Sequence, residues 1–165
     1  MEGKVKGARE AAFRVLNRVE GGDAFADILL MKETDGLSTL DAGLATEIVY
    51  GVLRWKMRLD YTIDLFASLK TKKLEHRVLN ALRVGAYQLL FLGRVPASAA
   101  INESVKLLRK DGPRKTGFVN AVLRKIALIK LREPVIGRAL AGRGDDHFFR
   151  RRRWHEQSRH EERRR

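Results

Sequence analysis

Apolar residues recur at intervals of three and four along the chain up to about residue 130. No stretch alternates between apolar and polar positions with the β-branched side chains typical of strands. This pattern predicts an all-α fold. The predicted helices cover residues 8–19, 25–29, 40–55, 59–66, 74–92, 101–108 and 118–129. Because these seven helices are joined by short turns, we expect a compact bundle.

The residues that begin and end helices support this division. Gly21-Gly22 ends the first predicted helix, and Ser38 followed by Asp41 predicts a capping box that opens the third. Gly112-Pro113 ends the sixth. A loop at residues 70–73 separates the front half of the chain from the back half.

The fifth predicted helix is the most hydrophobic segment. All but four positions from 78 to 92 are apolar, and Asn80, Arg83 and Gln88 form a narrow polar strip. A helix that is apolar on almost every side must be surrounded by other helices. We therefore place it at the centre of the bundle.

Four residues inside predicted helices disfavour the helical state. Gly51 and Gly85 each cost about 1 kcal/mol relative to alanine, so we expect neighbouring helices to approach closely at both. Asn102 and Asn120 lie where asparagine is disfavoured unless its side chain bonds a neighbouring segment. We expect such structural bonds for both.

The composition is that of one ordinary domain. The chain has 165 residues, and 44% of them are hydrophobic, which suffices for one core. It contains no cysteine, which excludes disulfides, thiolate metal sites and a thiol nucleophile. The sequence begins without an apolar signal segment, and no apolar run is long enough to cross a bilayer. We therefore expect a soluble, cytoplasmic protein without a membrane partner.

Positive charge is in large excess. Lys and Arg number 34 against 20 acids, which gives a net charge of +14 and favours polyanionic partners such as nucleic acid. Beyond residue 130 the chain contains arginine but no lysine, and no helical stripe long enough to be buried. We interpret residues 5–130 as a helical domain and residues 131–165 as an arginine-rich, disordered tail.

The sequence offers no motif for catalysis or cofactor binding. A glycine-lysine phosphate loop is missing, and Gly142-Arg143-Gly144 lacks a third glycine. His155 and His160 are five residues apart, which places the two rings on different sides of a helix, unlike the spacing of zinc ligands. We therefore expect no catalytic residue, no cofactor and no metal.

Basic residues cluster around the end of the sixth predicted helix. Lys106, Arg109 and Lys110 are expected to share one side of that helix, which leads directly into Arg114 and Lys115. Phosphate groups would neutralise the repulsion among these cations and release counterions. We expect RNA contact here, and a merely solvated face is the alternative.

A second candidate surface lies at the N-terminus. Lys4, Lys6 and Arg9 lead into the first helix, where Phe13 lies away from the apolar stripe. This ring is a candidate for stacking on an unpaired base beside a cation. The alternative, which we favour slightly, is that Phe13 packs under the second helix.

Two further positions complete the candidate RNA-binding set. Arg54 lies on one side of the third helix with Glu47 and Tyr50, where an ion pair of Glu47 with Arg54 or a neighbour is an equal alternative. Asn120 lies one turn before Arg124, so the two are expected to border the RNA surface.

Four segments carry a family resemblance. They are residues 50–54 (YGVLR), 82–90 (LRVGAYQLL), 96–105 (PASAAINESV) and 117–124 (GFVNAVLR). In this order and spacing they resemble the NusB-like domain, and more narrowly the N-terminal RNA-binding domain of the RsmB (Sun/Fmu-type) small-subunit rRNA cytosine-5 methyltransferases. The resemblance implies an all-helical fold of two packed subbundles and a role in RNA binding.

The resemblance also implies partners. Standalone NusB proteins act in transcription antitermination, where they bind a short RNA element together with a small ribosomal protein. Their basic N-terminal arm contributes to RNA contact, and Lys4, Lys6 and Arg9 occupy the matching positions here.

The likeness to the methyltransferases is partial. In those proteins the domain precedes a larger catalytic domain that binds S-adenosylmethionine and uses cysteines, whereas this chain has no cysteine and no glycine-rich cofactor loop. We therefore expect a noncatalytic RNA-binding module whose target is small-subunit rRNA, with a ribosomal protein or a separate methyltransferase domain as candidate partner. An antitermination factor and a protein-interaction scaffold are the alternatives.

Overall fold

The computed structural model describes residues 7–22 and 25–132, and within these ranges all regular structure is helical. The α-helices are α1 (Ala8–Glu20), α2 (Ala26–Thr34), α3 (Thr39–Phe66), α4 (His76–Phe91), α5 (Ala97–Lys106) and α6 (Pro113–Arg132). Short 3₁₀ turns lie at Thr71–Lys73 and Arg109–Asp111. The prediction of an all-α fold is confirmed. Most of the predicted tail, residues 131–165, lies outside the described residues.

The third and fourth predicted helices form one continuous helix. α3 passes through both, and only Trp55, with φ −102° and ψ 16°, departs from helical geometry. The ring of Trp55 stacks on Phe91 of α4 with 5.3 Å between ring centroids. The chain bends at the tryptophan without ending the helix. No glycine or proline, which commonly break a helix, lies between Trp55 and Leu59.

Two other predicted boundaries are informative. The hydroxyl oxygen of Ser38 accepts a hydrogen bond of 3.1 Å from the backbone N–H of Asp41, which confirms the predicted cap of α3. The sixth predicted helix is too long, because α5 ends at Lys106. The chain then tightens into the 3₁₀ turn at Arg109–Asp111, and Gly112 follows with φ 96°.

The most hydrophobic helix lies at the centre, as the sequence predicts. Every residue of α4 from Val78 to Leu89 is buried, including the polar strip. Helices α1, α2 and α3 pack on one another, and α4 packs on α1, α3 and α5. Leu123 of α6 contacts α4 at Gly85. Two groups of helices are therefore joined through α4.

Both helical glycines lie where helices approach closely, which confirms the prediction for them. A Cβ on Gly51 of α3 would lie 1.9 Å from the Cζ atom of Tyr87 on α4. A Cβ on Gly85 would lie 2.5 Å from Leu123 and 3.0 Å from the hydroxyl oxygen of Ser104. Because glycine has no side chain at these two positions, α4 can lie close to α3, α5 and α6.

A buried arginine connects three helices. Arg83 of α4 is 3% exposed and donates two hydrogen bonds, of 2.7 and 2.8 Å, to the carboxylate of Asp60 on α3. It also donates to Glu20 at the end of α1 at 2.6 Å. Burial alone would raise the pKa of Glu20, but hydrogen bonds from Lys56 and Arg83 lower this pKa from 4.5 to about 2.

Candidate nucleic-acid interface

Three cations at the junction of α5 and α6 have no partner among the residues that the structure describes. Arg109 and Lys110 lie on the 3₁₀ turn and Arg114 in the first turn of α6, and all three are exposed. Their side chains form no ion pair or hydrogen bond with the residues that the structure describes. We call these three residues the cationic turn. The prediction that Arg109 and Lys110 share a helix with Lys106 is wrong, because α5 ends at Lys106.

The other charges of this segment are paired. Lys106 lies 2.6 Å from Glu103, and Lys115 lies 2.6 Å from Glu75. Asp111 accepts two hydrogen bonds, of 3.0 and 2.9 Å, from Arg77 of α4. These hydrogen bonds lower the pKa of Asp111, so the carboxylate stays ionised and engaged by Arg77. The cationic turn therefore keeps its positive charge unbalanced.

A cleft of about 700 Å³ opens between α5 and α6 beside this turn. It is lined by Ser98, Ala99, Asn102, Glu103, Val105, Lys106, Pro113, Thr116, Gly117, Asn120 and Arg124. Three of the predicted RNA-binding residues, Lys106, Asn120 and Arg124, thus share one cavity. Lys106 and Pro113 both line it, and the segment that joins them carries Arg109 and Lys110.

Within the described residues, neither asparagine of the cleft forms the expected structural bond to a neighbouring segment. Asn120 accepts a hydrogen bond of 3.2 Å from Arg124 of its own helix. Asn102 is exposed, and its side chain bonds to nothing in the part of the chain that the structure describes. The amide of Asn102 is therefore available to a ligand. Asn102 and Gly117 are site residues that the sequence reasoning missed, because only the tertiary fold brings α5 and α6 to one cavity.

Arg54 stands apart from this cleft as an exposed cation on α3. The expected alternative, an ion pair of Glu47 with Arg54 or a neighbour, is not formed among the described residues, and Glu47 accepts a hydrogen bond from the Tyr87 hydroxyl. Burial and this bond raise the pKa of Tyr87 from 10.0 to about 12. The hydroxyl of Tyr50 donates to Asp27 of α2 at 2.7 Å.

The N-terminal surface is less open than expected. Phe13 is 3% exposed within the main core, and the guanidinium of Arg77 lies 5.2 Å from its ring centroid. The ring therefore packs in the interior, and the expectation that it stacks on a base is wrong. Arg9 donates a hydrogen bond of 2.6 Å to the side chain of Gln88. Lys4 and Lys6 lie outside the described residues.

A comparison with known protein families agrees with this fold. Residues 6–128 match the model of the NusB family. The chain belongs to the NusB family. This confirms the resemblance drawn from the four motif segments, and the match begins two residues before α1 and ends within α6.

Two groups of curated relatives contain this NusB-family region. The chain is 36% identical over 126 residues to the probable ribosomal RNA small subunit methyltransferase B of Bacillus subtilis, covering 74% of this chain and 28% of the relative. It is 31% identical over 125 residues to the transcription antitermination protein NusB of Bacillus licheniformis, covering 74% and 95%. The chain thus spans about a quarter of the methyltransferase and nearly all of the antitermination protein.

Solved NusB-family structures share this fold. A crystal structure of the antitermination factors NusB and NusE in complex with dsRNA matches with a TM-score of 0.67 and 26% identity. The match covers 78% of this chain and 99% of that one. The solution structure of NusB from Aquifex aeolicus matches with a TM-score of 0.61 and 26% identity.

A metal site and a membrane-spanning helix each have structural requirements, and the described part of the NusB-family domain meets neither. Residues 7–22 and 25–132 hold no group of three His, Asp or Glu side chains placed to bind a metal ion. In the same residues no helix is long and apolar enough to cross a membrane.

Proposed function

We propose that this chain is a noncatalytic RNA-binding module of the NusB family whose target is small-subunit rRNA in the cytoplasm. The observation that carries the proposal is the cationic turn, whose three exposed cations have no partner among the described residues. Phosphates would supply the missing counter-charge, and the displaced counterions would make binding depend on salt.

The methyltransferase relatives support rRNA as the target. One relative, 36% identical over 126 residues, is named for the small-subunit ribosomal RNA, and this chain spans 28% of it. Methylation itself would need a catalytic domain, and this chain has no cysteine to attack a pyrimidine ring. We propose that the module supplies recognition and that a methyltransferase domain would supply the chemistry.

A second candidate function is transcription antitermination. It is favoured by the coverage of 95% of the Bacillus licheniformis NusB protein and by the similarity to the NusB structure solved with NusE and dsRNA. In this case the chain would bind a short RNA element together with a small ribosomal protein.

One binding experiment separates these functions. The full chain is titrated with a small-subunit rRNA hairpin, a single-stranded antitermination element and a scrambled RNA of equal length, each at two salt concentrations. Preference for the hairpin supports the methyltransferase type of recognition, and preference for the single strand supports antitermination. If the chain binds none of the three RNAs above a bovine serum albumin control, the proposed function is wrong.

A further inference from the structure

We propose that the cleft between α5 and α6 receives the base of an unpaired nucleotide while the cationic turn holds the phosphates beside it. This inference rests on the proposed RNA-binding function and adds to it a particular cavity and a particular part of the ligand. It predicts that the chain prefers RNA with an unstacked base over a continuous duplex.

The hydrogen-bonding groups of the cleft match a base edge. The free amide of Asn102 offers two N–H donors and an acceptor oxygen. Asn120 accepts from Arg124 through its oxygen, which leaves its NH₂ group as a donor. Glu103 offers a carboxylate that can accept from an exocyclic amino group. Donors and acceptors thus face one cavity, as the edges of nucleobases require.

The charges of the cleft disfavour a bare phosphate as its occupant. Glu103 brings a carboxylate into the cavity, and its ion pair with Lys106 offsets the lysine charge. Arg124 is then the only cation of the lining whose charge is not offset by an acid of the described residues. The unbalanced charge lies instead on the cationic turn, which joins the two helices next to Lys106 and Pro113. A nucleotide would therefore place its base and its phosphate in different parts of this surface.

Gly117 leaves space in the cleft, although glycine lowers the stability of the helix that contains it. Unlike Gly51 and Gly85, it has no neighbour within 4 Å of where a Cβ would lie. Packing therefore does not require glycine here, although glycine in a helix costs about 1 kcal/mol relative to alanine. Because Gly117 lines the cleft, its missing side chain widens the cavity that a base would enter.

The test fills the cleft without disturbing the fold. Gly117→Leu places a side chain in the cavity and raises helix propensity, so the variant should remain folded. The matched control is Gly43→Leu, because Gly43 is also an exposed glycine inside a helix with open space at its Cβ, and it does not line the cleft. Asn102→Ala is the second test variant, since this exposed side chain has no partner among the described residues.

The probe is a fluorescently labelled single-stranded 12-mer RNA of mixed sequence, with a fully abasic strand of the same length for comparison. We expect Gly117→Leu to weaken binding to the 12-mer about ten-fold and Asn102→Ala several-fold, with Gly43→Leu equal to the unsubstituted chain. On the abasic strand, Gly117→Leu should bind like the unsubstituted chain.

Three results would overturn the inference. The first is Gly117→Leu binding the 12-mer like the unsubstituted chain, and the second is an equal loss on the abasic strand, which would place backbone in the cleft. In both cases the proposed function stands, because the chain still binds RNA. The third is no binding of RNA by the unsubstituted chain, in which case the proposed function fails as well.

Discussion

The ring of Tyr87 occupies the space that a side chain on Gly51 would need, because a Cβ there would lie 1.9 Å from Cζ of the tyrosine. The ring has little freedom to move, since it stacks on Phe91 at 5.3 Å and its hydroxyl donates to Glu47. This contact sets how closely α3 approaches α4.

We predict that Gly51→Ala destabilises the fold by about 1–3 kcal/mol through overpacking. The gain of about 1 kcal/mol in helix propensity would offset only part of this strain. Gly43→Ala is the matched control and should raise the free energy of unfolding, because a Cβ on Gly43 meets open space. Urea denaturation of both variants measures the difference, and a stabilised Gly51→Ala would contradict the packing.

Replacing the buried Arg83 should cost more stability than Gly51→Ala. Arg83→Met leaves the carboxylates of Asp60 and Glu20 without their shared partner, so we expect the free energy of unfolding to fall by about 3–5 kcal/mol. Arg83→Lys keeps the charge but loses the two-pronged geometry, and should lie between Arg83→Met and the unsubstituted chain.

Arg54→Met is the control for this series, because Arg54 is exposed and forms no ion pair or hydrogen bond with the described residues. Its unfolding free energy should change by less than about 0.5 kcal/mol. If thermal and urea denaturation give equal losses for Arg54→Met and Arg83→Met, the buried network does not stabilise the fold.

The lowered pKa of Glu20 predicts that the fold loses stability in acid. Its pKa falls from 4.5 to about 2 in the folded chain, so the folded state favours the ionised carboxylate. The resulting stabilisation is fully present above pH 4.5 and is lost as the pH falls from 4.5 towards 2. Glu20→Gln should therefore lose less stability than the unsubstituted chain between pH 6 and pH 2.5, as followed by urea denaturation. Identical losses would contradict the ion network.

The arginine-rich residues after the helical domain predict nonspecific binding. Removing residues 133–165 leaves all six described helices, since α6 ends at Arg132. We expect the shortened chain to keep its helical circular dichroism and to bind scrambled RNA more weakly, because arginines have been removed. Loss of helical signal would show that the boundary at residue 130 is placed too early.

Local sequence pattern predicts most of the fold. The apolar run centred on residues 78–92 and the cap at Ser38 depend on neighbouring positions, and both are confirmed. Trp55, where α3 bends, stacks on Phe91, far along the chain. Helical periodicity contains no information about such a contact, so the pattern splits α3 into two helices.

The candidate site is predictable only in part for the same reason. Net charge and the basic run identify the segment around Arg109 and Lys110. Which cations are neutralised depends on tertiary partners, such as Glu75 for Lys115. The helical angle of Phe13 places it off the apolar stripe and so leaves base stacking open beside the favoured interior packing, whereas in the structure Arg77 of α4 covers its ring.

The most direct test of RNA binding by the cationic turn is the salt dependence of affinity for two charge reversals. Arg109→Glu/Lys110→Glu changes two exposed cations on a 3₁₀ turn that have no partner among the described residues, and Lys72→Glu/Lys73→Glu makes the same change of charge on the 3₁₀ turn at Thr71–Lys73. We predict that the first variant weakens binding and lowers the slope of log affinity against log salt by about 1.4 for a single-stranded RNA. The second variant should keep nearly the original slope. Equal slopes for the two variants would contradict the account.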